Sequence, residues 1–149
     1  MGYTAFGQQS GPVGRDSDFT NLPRFPLAGP YSAITSFQTK MRSLPMSVRS
    51  VVLQTDSGDE LLRNEETRPE LILELAEPGD AQLNCFASGQ GAISVESETP
   101  GLYRIAAPQP VSVGRSRYNC TMASPWGGRY YWFSQAWVRR GEGERWVHQ

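Results

Sequence analysis

One run near the C-terminus concentrates the side chains best suited to chemistry: Trp126-Gly127-Gly128-Arg129-Tyr130-Tyr131-Trp132-Phe133-Ser134-Gln135-Ala136-Trp137. In a β-strand alternate side chains face opposite ways, so Tyr130 and Trp132 share one face while Tyr131, Phe133 and Trp137 share the other. One aromatic face can fill a core. The other must be covered by an N-terminal helix or a partner, or stay open as a stacking platform. Flat rings pack against the apolar faces of sugar rings, and the nearby Arg115, Arg117 and Arg129 have donors for hydroxyls or acidic groups. The carbohydrate-binding candidates are therefore Trp126, Arg129, Tyr130, Tyr131, Trp132, Trp137, Arg115 and Arg117. The competing reading of the same rings is packing inside a core or between domains, where large aromatics also dominate.

Other catalytic equipment is sparse. The single histidine is His148, next to the terminal residue, a poor place for a nucleophile's base. No GxxxxGK[ST] or GxGxxG loop occurs, so there is no phosphate cradle to propose. Asp56, Asp59 and Glu60 form an acidic turn without the alternating carboxylates of an EF-hand loop, and a plain hairpin turn accounts for them better than calcium. Cys85 and Cys120, 35 residues apart with only His148 besides, cannot assemble a four-ligand structural zinc site. A disulfide between them is the favoured reading, two separate buried thiols the alternative. Tyr118 stands two residues before Cys120, the place of the tyrosine corner in immunoglobulin-like domains, where the phenol bonds back to upstream backbone. No Trp falls between the two cysteines, so Trp132 or Trp137 would have to pack on the bridge from another strand.

These residues need strands to position them. Residues 50–54, 70–75, 81–86, 92–95, 102–105, 118–121 and 129–138 read as seven short strands, separated by Gly, Pro, Asp and Ser clusters. That spacing predicts an antiparallel β-sandwich over residues 48–140. Residues 1–47 read differently: a strand-like Tyr3-Thr4-Ala5-Phe6, a Pro- and Gly-punctuated loop, then Ile34, Phe37, Met41 and Leu44 on one face of a short helix ended by Pro45. Residues 141–149 read as a Gly/Glu/Arg-rich tail with Trp146 as its anchor. The chain of 149 residues has 14 Lys and Arg against 15 Asp and Glu, a net charge of −1, which speaks against a strongly basic nucleic-acid binder. Within it, residues 56–80 carry net −7 and residues 101–149 net +5, an asymmetry that solvated opposite edges explain and that could also orient a partner. No run of apolar residues is long enough for a membrane-spanning helix, and the first residues do not have the pattern of a signal peptide.

The order of certain motifs resembles a known family. Tyr3-Thr4-Ala5-Phe6-Gly7-Gln8-Gln9-Ser10-Gly11-Pro12, then Leu22-Pro23-Arg24-Phe25-Pro26-Leu27 and the helix to Leu44-Pro45, looks like the end of the catalytic domain of bacterial polysaccharide deacetylases, the NodB-type carbohydrate esterases. Gly114-Arg115-Ser116-Arg117-Tyr118-Asn119-Cys120-Thr121 and Gly128-Arg129-Tyr130-Tyr131-Trp132-Phe133-Ser134 resemble the accessory region that follows it in some members. The resemblance implies a fold that is mainly β, an immunoglobulin-like antiparallel sandwich preceded by a strand-loop-helix remnant of an α/β barrel. It also implies a parent that removes acetyl groups from a polysaccharide with a divalent metal such as zinc. The family's Thr-Phe-Asp-Asp and His-Ser/Thr-x-x-His-Pro motifs do not occur here, so no residue inherits a catalytic or metal-binding role.

The expectation is thus a noncatalytic part of such an enzyme, with no cofactor of its own. Its partners would be the upstream barrel of the same protein and a polysaccharide, with neither nucleic acid nor a membrane span involved. Its place would be extracytoplasmic, in the periplasm, the cell envelope or the medium. A stand-alone carbohydrate-binding module and a purely structural packing module are the two alternatives.

Overall fold

A computed structural model of the chain describes residues 2–144; Met1 and residues 145–149, and with them Trp146 and His148, lie outside the described residues. The chain is mainly β with one short α-helix, α1 (Ile34–Met41). Its strands are β1 (Leu44–Pro45), β2 (Val48–Gln54), β3 (Leu61–Leu62), β4 (Glu70–Leu75), β5 (Leu83–Ala87), β6 (Gly91–Thr99), β7 (Leu102–Ala106), β8 (Gly114–Ala123) and β9 (Tyr130–Arg139). The seven strands expected from alternation are all present, several of them longer than expected. The two-residue β1 and β3 are additions. Among the described residues no helix is long and apolar enough to cross a membrane.

The strands hydrogen-bond in the order β1-β9-β8-β5-β6-β7-β4-β2, with β3 also on β9. The sheet curls on itself because β6 serves two neighbours: its start pairs with β5, through Cys85–Ile93, and its remainder pairs with β7, through Val95–Ile105. One core fills the space between the halves. Alternation decides what enters it: Leu71, Leu73 and Leu75 from β4, Leu83, Cys85 and Ala87 from β5, and Tyr118, Cys120 and Met122 from β8 are all buried. The β6–β7 turn is Pro100-Gly101, and Gly101 sits at φ +86°, where the β-carbon of any other residue would come within 3.0 Å of Pro78.

Two finer expectations fail. β1 and β3 run parallel to β9, so the sheet is mixed rather than wholly antiparallel. Cys85 and Cys120 do form a disulfide, but they are register partners on adjacent strands, with Cα atoms 4.1 Å apart. An immunoglobulin-like bridge joins two facing sheets; this one lies within one half of the sheet, so the immunoglobulin-like arrangement does not describe the fold. On the chain-entropy model a closed loop of this size contributes roughly 3–4 kcal/mol. Both sulfurs are in the core, and such a bridge fits an extracytoplasmic protein.

The two halves are tied by Tyr118. Its hydroxyl donates to the Pro69 carbonyl at 2.9 Å and accepts from the Ala107 amide at 3.2 Å, so a side chain of β8 bonds the backbone just before β4 and just after β7. The ring meets Trp137 edge-on at 5.4 Å, and both side chains are fully buried. Burial raises the phenol pKa from 10.0 to about 12. Between those values the unfolded chain has released a proton that the folded chain keeps, so stability falls as pH rises.

Tyr118→Phe leaves the Pro69 carbonyl and Ala107 amide without that partner, and we expect a loss of about 1–3 kcal/mol in urea unfolding. In the wild type, stability should fall by about 2 kcal/mol between pH 10 and pH 12 through Tyr118. The Phe variant should lose that component. Equal pH slopes for the two proteins would show that Tyr118 does not hold its proton through the core.

Candidate binding cleft and its aromatic hairpin

The register between β8 and β9 sorts the aromatic run. Met122 pairs with Tyr131, Cys120 with Phe133 and Ser116 with Trp137, which places these three rings on the core side. Trp137 is 0% exposed and belongs to the core. It is therefore removed from the carbohydrate-binding candidates, because a ring with no solvent face cannot stack on a sugar. Thr121 pairs with Trp132 and Ala123 with Tyr130, on the outer side.

The outer side is covered in its middle by the N-terminal segment. Phe25 meets Trp132 edge-on with centroids 5.1 Å apart. Arg117 donates to the Ser10 hydroxyl at 2.9 Å and the Gln8 carbonyl at 3.2 Å, and Arg115 to the Gln8 side-chain oxygen at 2.8 Å. These arginines tie the N-terminal segment to β8, through the side chains of Gln8 and Ser10 and the Gln8 carbonyl. The segment is itself braced: Ala5 bonds Phe19, and Phe6 and Leu22 form an isolated parallel bridge where a strand was expected. Residues 1–47 thus pack on the sheet through the Arg117–Ser10 bond and donate β1 to it.

Helix α1 is turned opposite to its apolar stripe. Ile34 and Met41 are 67% and 69% exposed, whereas Lys40 is buried. The Lys40 ammonium donates to the Pro26 carbonyl at 2.7 Å and stands 4.7 Å from the Tyr31 ring centre, and burial pulls its pKa down.

At the hairpin tip the cover ends. Trp126 is 60% and Tyr130 43% exposed. Residues 124–129 form the loop: the Ser124 amide donates to the Arg129 carbonyl, the Ser124 hydroxyl to the Trp126 carbonyl, and Gly128 takes φ +74°. The Arg129 guanidinium donates to the Arg42 carbonyl at 3.0 Å, fixing the hairpin to the end of α1.

Beside this loop the curled sheet opens into a cleft of about 480 Å³. Its floor is apolar, with Met46, Leu75, Met122 and Tyr131; its rim has oxygens from Ser47, Glu77, Asp80 and Ser124. Four separate stretches build it: the β1–β2 junction, the β4–β5 loop, the end of β8 and the start of β9. Only Tyr131 was among the sequence candidates. Glu77-Pro78-Gly79-Asp80 reads as a turn, and no local pattern announces that it meets Met46 and Met122. Among the described residues no group of three His, Cys, Asp or Glu is placed to hold a metal ion. The Asp59 carboxylate accepts from the Leu61 amide and the Ser57 hydroxyl, a turn arrangement.

No family model matches the chain, and no curated protein matches it. Among solved structures it is similar to PcoC, described as a methionine rich copper resistance protein from Escherichia coli, at a TM-score of 0.39 and 11% identity, over 65% of this chain and 100% of that one. The deacetylase resemblance is accordingly corrected: no family model, that of the deacetylases included, matches the chain. The short Pro- and Gly-rich motifs that carried it serve here as the cover over Trp132.

Arg117→Ala should free the N-terminal cover, lower stability by about 1–2 kcal/mol and shift tryptophan emission to the red as Trp132 meets solvent. Unchanged emission and melting would show that the cover is not held through Arg117.

Proposed function

We propose that the protein is a noncatalytic carbohydrate-binding module that takes a glycan at the cleft beside the β8–β9 hairpin. The observation that supports this reading is a cleft with an apolar floor that includes the Tyr131 ring and a rim of hydroxyls and carboxylates, next to whose lining residue Pro125 the chain exposes Trp126. A sugar ring has matching chemistry, an apolar face for the aromatic ring and hydroxyls for the rim. The roles divide accordingly. Trp126 offers an open stacking face, Tyr131 and Met122 shape the floor, and Glu77 and Asp80 accept hydroxyl hydrogen bonds. Arg129 positions the hairpin through its bond to Arg42. The reading requires no cofactor, and its place would be the periplasm, the cell envelope or the medium.

A second reading, a structural module that packs on another body, is favoured by one observation: α1 presents Ile34, Phe37 and Met41 outward. The two readings use different surfaces. Only the first predicts that glycans reach Trp126.

Titration with chitin-type, peptidoglycan and exopolysaccharide oligomers, followed by tryptophan emission and calorimetry, should give a saturable response. Trp126→Ala should weaken binding at least tenfold, about 1.4 kcal/mol, with melting unchanged because the ring is exposed. A panel without any response, or equal affinity in the variant, would reject the reading.

A further inference from the structure

The two edges of the curled sheet are treated differently. At β9 the outer edge is occupied at both ends, by β1 at Tyr131 and Trp132 and by β3 at Val138 and Arg139. Between them the Gln135 side-chain amide donates to the Ala136 carbonyl at 2.8 Å. At the opposite edge stands β2, seven residues long, paired on one side with β4 and, among the described residues, with nothing on the other. An open row of amides and carbonyls is a template for another strand, and proteins usually guard it with charges, prolines or a cover. From Ser50 to Gln54 β2 has no charge and no proline.

The side chains add direction. Val51 and Leu53 pair with Leu73 and Leu71, both completely buried, and so face the core side. Val51 is nevertheless 39% exposed, because the layer stops at this strand. Val52, on the outer side, is 47% exposed. A strand added alongside would continue the layer over Val51.

We propose that β2 pairs antiparallel with β2 of a second copy of this chain, about a two-fold axis at Val52, so that the sheet runs on across a homodimer. Charge favours this occupant. Arg49 precedes the uncharged stretch, while Asp56, Asp59 and Glu60 follow it. Antiparallel self-pairing brings the Arg49 end of each copy to the acidic end of the other; parallel pairing would set like charges side by side. Centring on Val52 sets Val51 opposite Leu53 of the second copy and Ser50 opposite Gln54, so that core-side residues meet core-side residues. The β2 edge shares no residue with the lining of the proposed glycan cleft, which reaches Ser47.

Sedimentation of the full chain across a concentration range should show a monomer–dimer equilibrium, and Val52→Lys should weaken it at least tenfold. The substituted side chain points outward, so melting should hold. Both native cysteines are in the disulfide, so an introduced thiol is unique. Val52→Cys should cross-link efficiently on mild oxidation, whereas Val13→Cys, at a site 51% exposed on the N-terminal cover, should not. The cysteine pair reads the contact even if the lysine variant folds poorly. A monomer at every concentration, a dimer indifferent to Val52→Lys, or equal cross-linking at both positions would each overturn the proposal.

Discussion

The register of β8 against β9 is the constraint on which the rest depends. In a strand pair a slip of one residue sends every side chain to the opposite face. Here such a slip would take Trp137 out of the core and put Trp132 into it. Two neighbours fix β8 itself, and one of them, Tyr118, meets Trp137 of β9 edge-on. Cys120 is bonded covalently to its register partner on β5, and Tyr118 spans the core to the backbone flanking β4 and β7. Both are completely buried, so neither is replaced by water when the molecule breathes. With β8 fixed in this way, ten consecutive residue pairs of β9 follow it.

That register divides the aromatic run into three populations with three roles. Phe133 and Trp137 pack with the core. Trp132 lies outside it but under Phe25. Trp126 and Tyr130, where the cover ends, remain open. The clamps of the cover are arginines that, from composition alone, looked like ligand contacts. Arg115 and Arg117 spend their donors on Gln8 and Ser10, and Arg129 on the end of α1.

Much of the sheet was readable in advance because burial leaves a period of two. β4, β5 and β8 alternate almost without fault, and Pro100-Gly101 marks its turn. What the period cannot reveal is which side of an element meets the core. α1 shows this: Ile34, Phe37 and Met41 do share a helical face, yet Lys40 is the residue that turns inward, where the Pro26 carbonyl and the Tyr31 ring receive its ammonium. β1 and β3 are too short to have a period and exist because β9 offers them an edge. The cysteine pair could be foreseen as a pair, but not its place within one half of the sheet. The cleft was hidden for a related reason. Met46, Glu77, Asp80 and Met122 meet only after the sheet has curled, and none is unusual in its own segment.

The central claim is that the register partitions the aromatic residues, so that only those at the hairpin tip face a ligand. Hydroxyl-radical footprinting read by mass spectrometry at single residues measures this partition directly. The account predicts rapid oxidation of Trp126 and Tyr130, slower oxidation of Trp132 and protection of Trp137 and Tyr118, with glycan shielding Trp126 and Tyr131 and leaving Tyr130 unchanged. Oxidation of Trp137 as fast as that of Trp126 would contradict it.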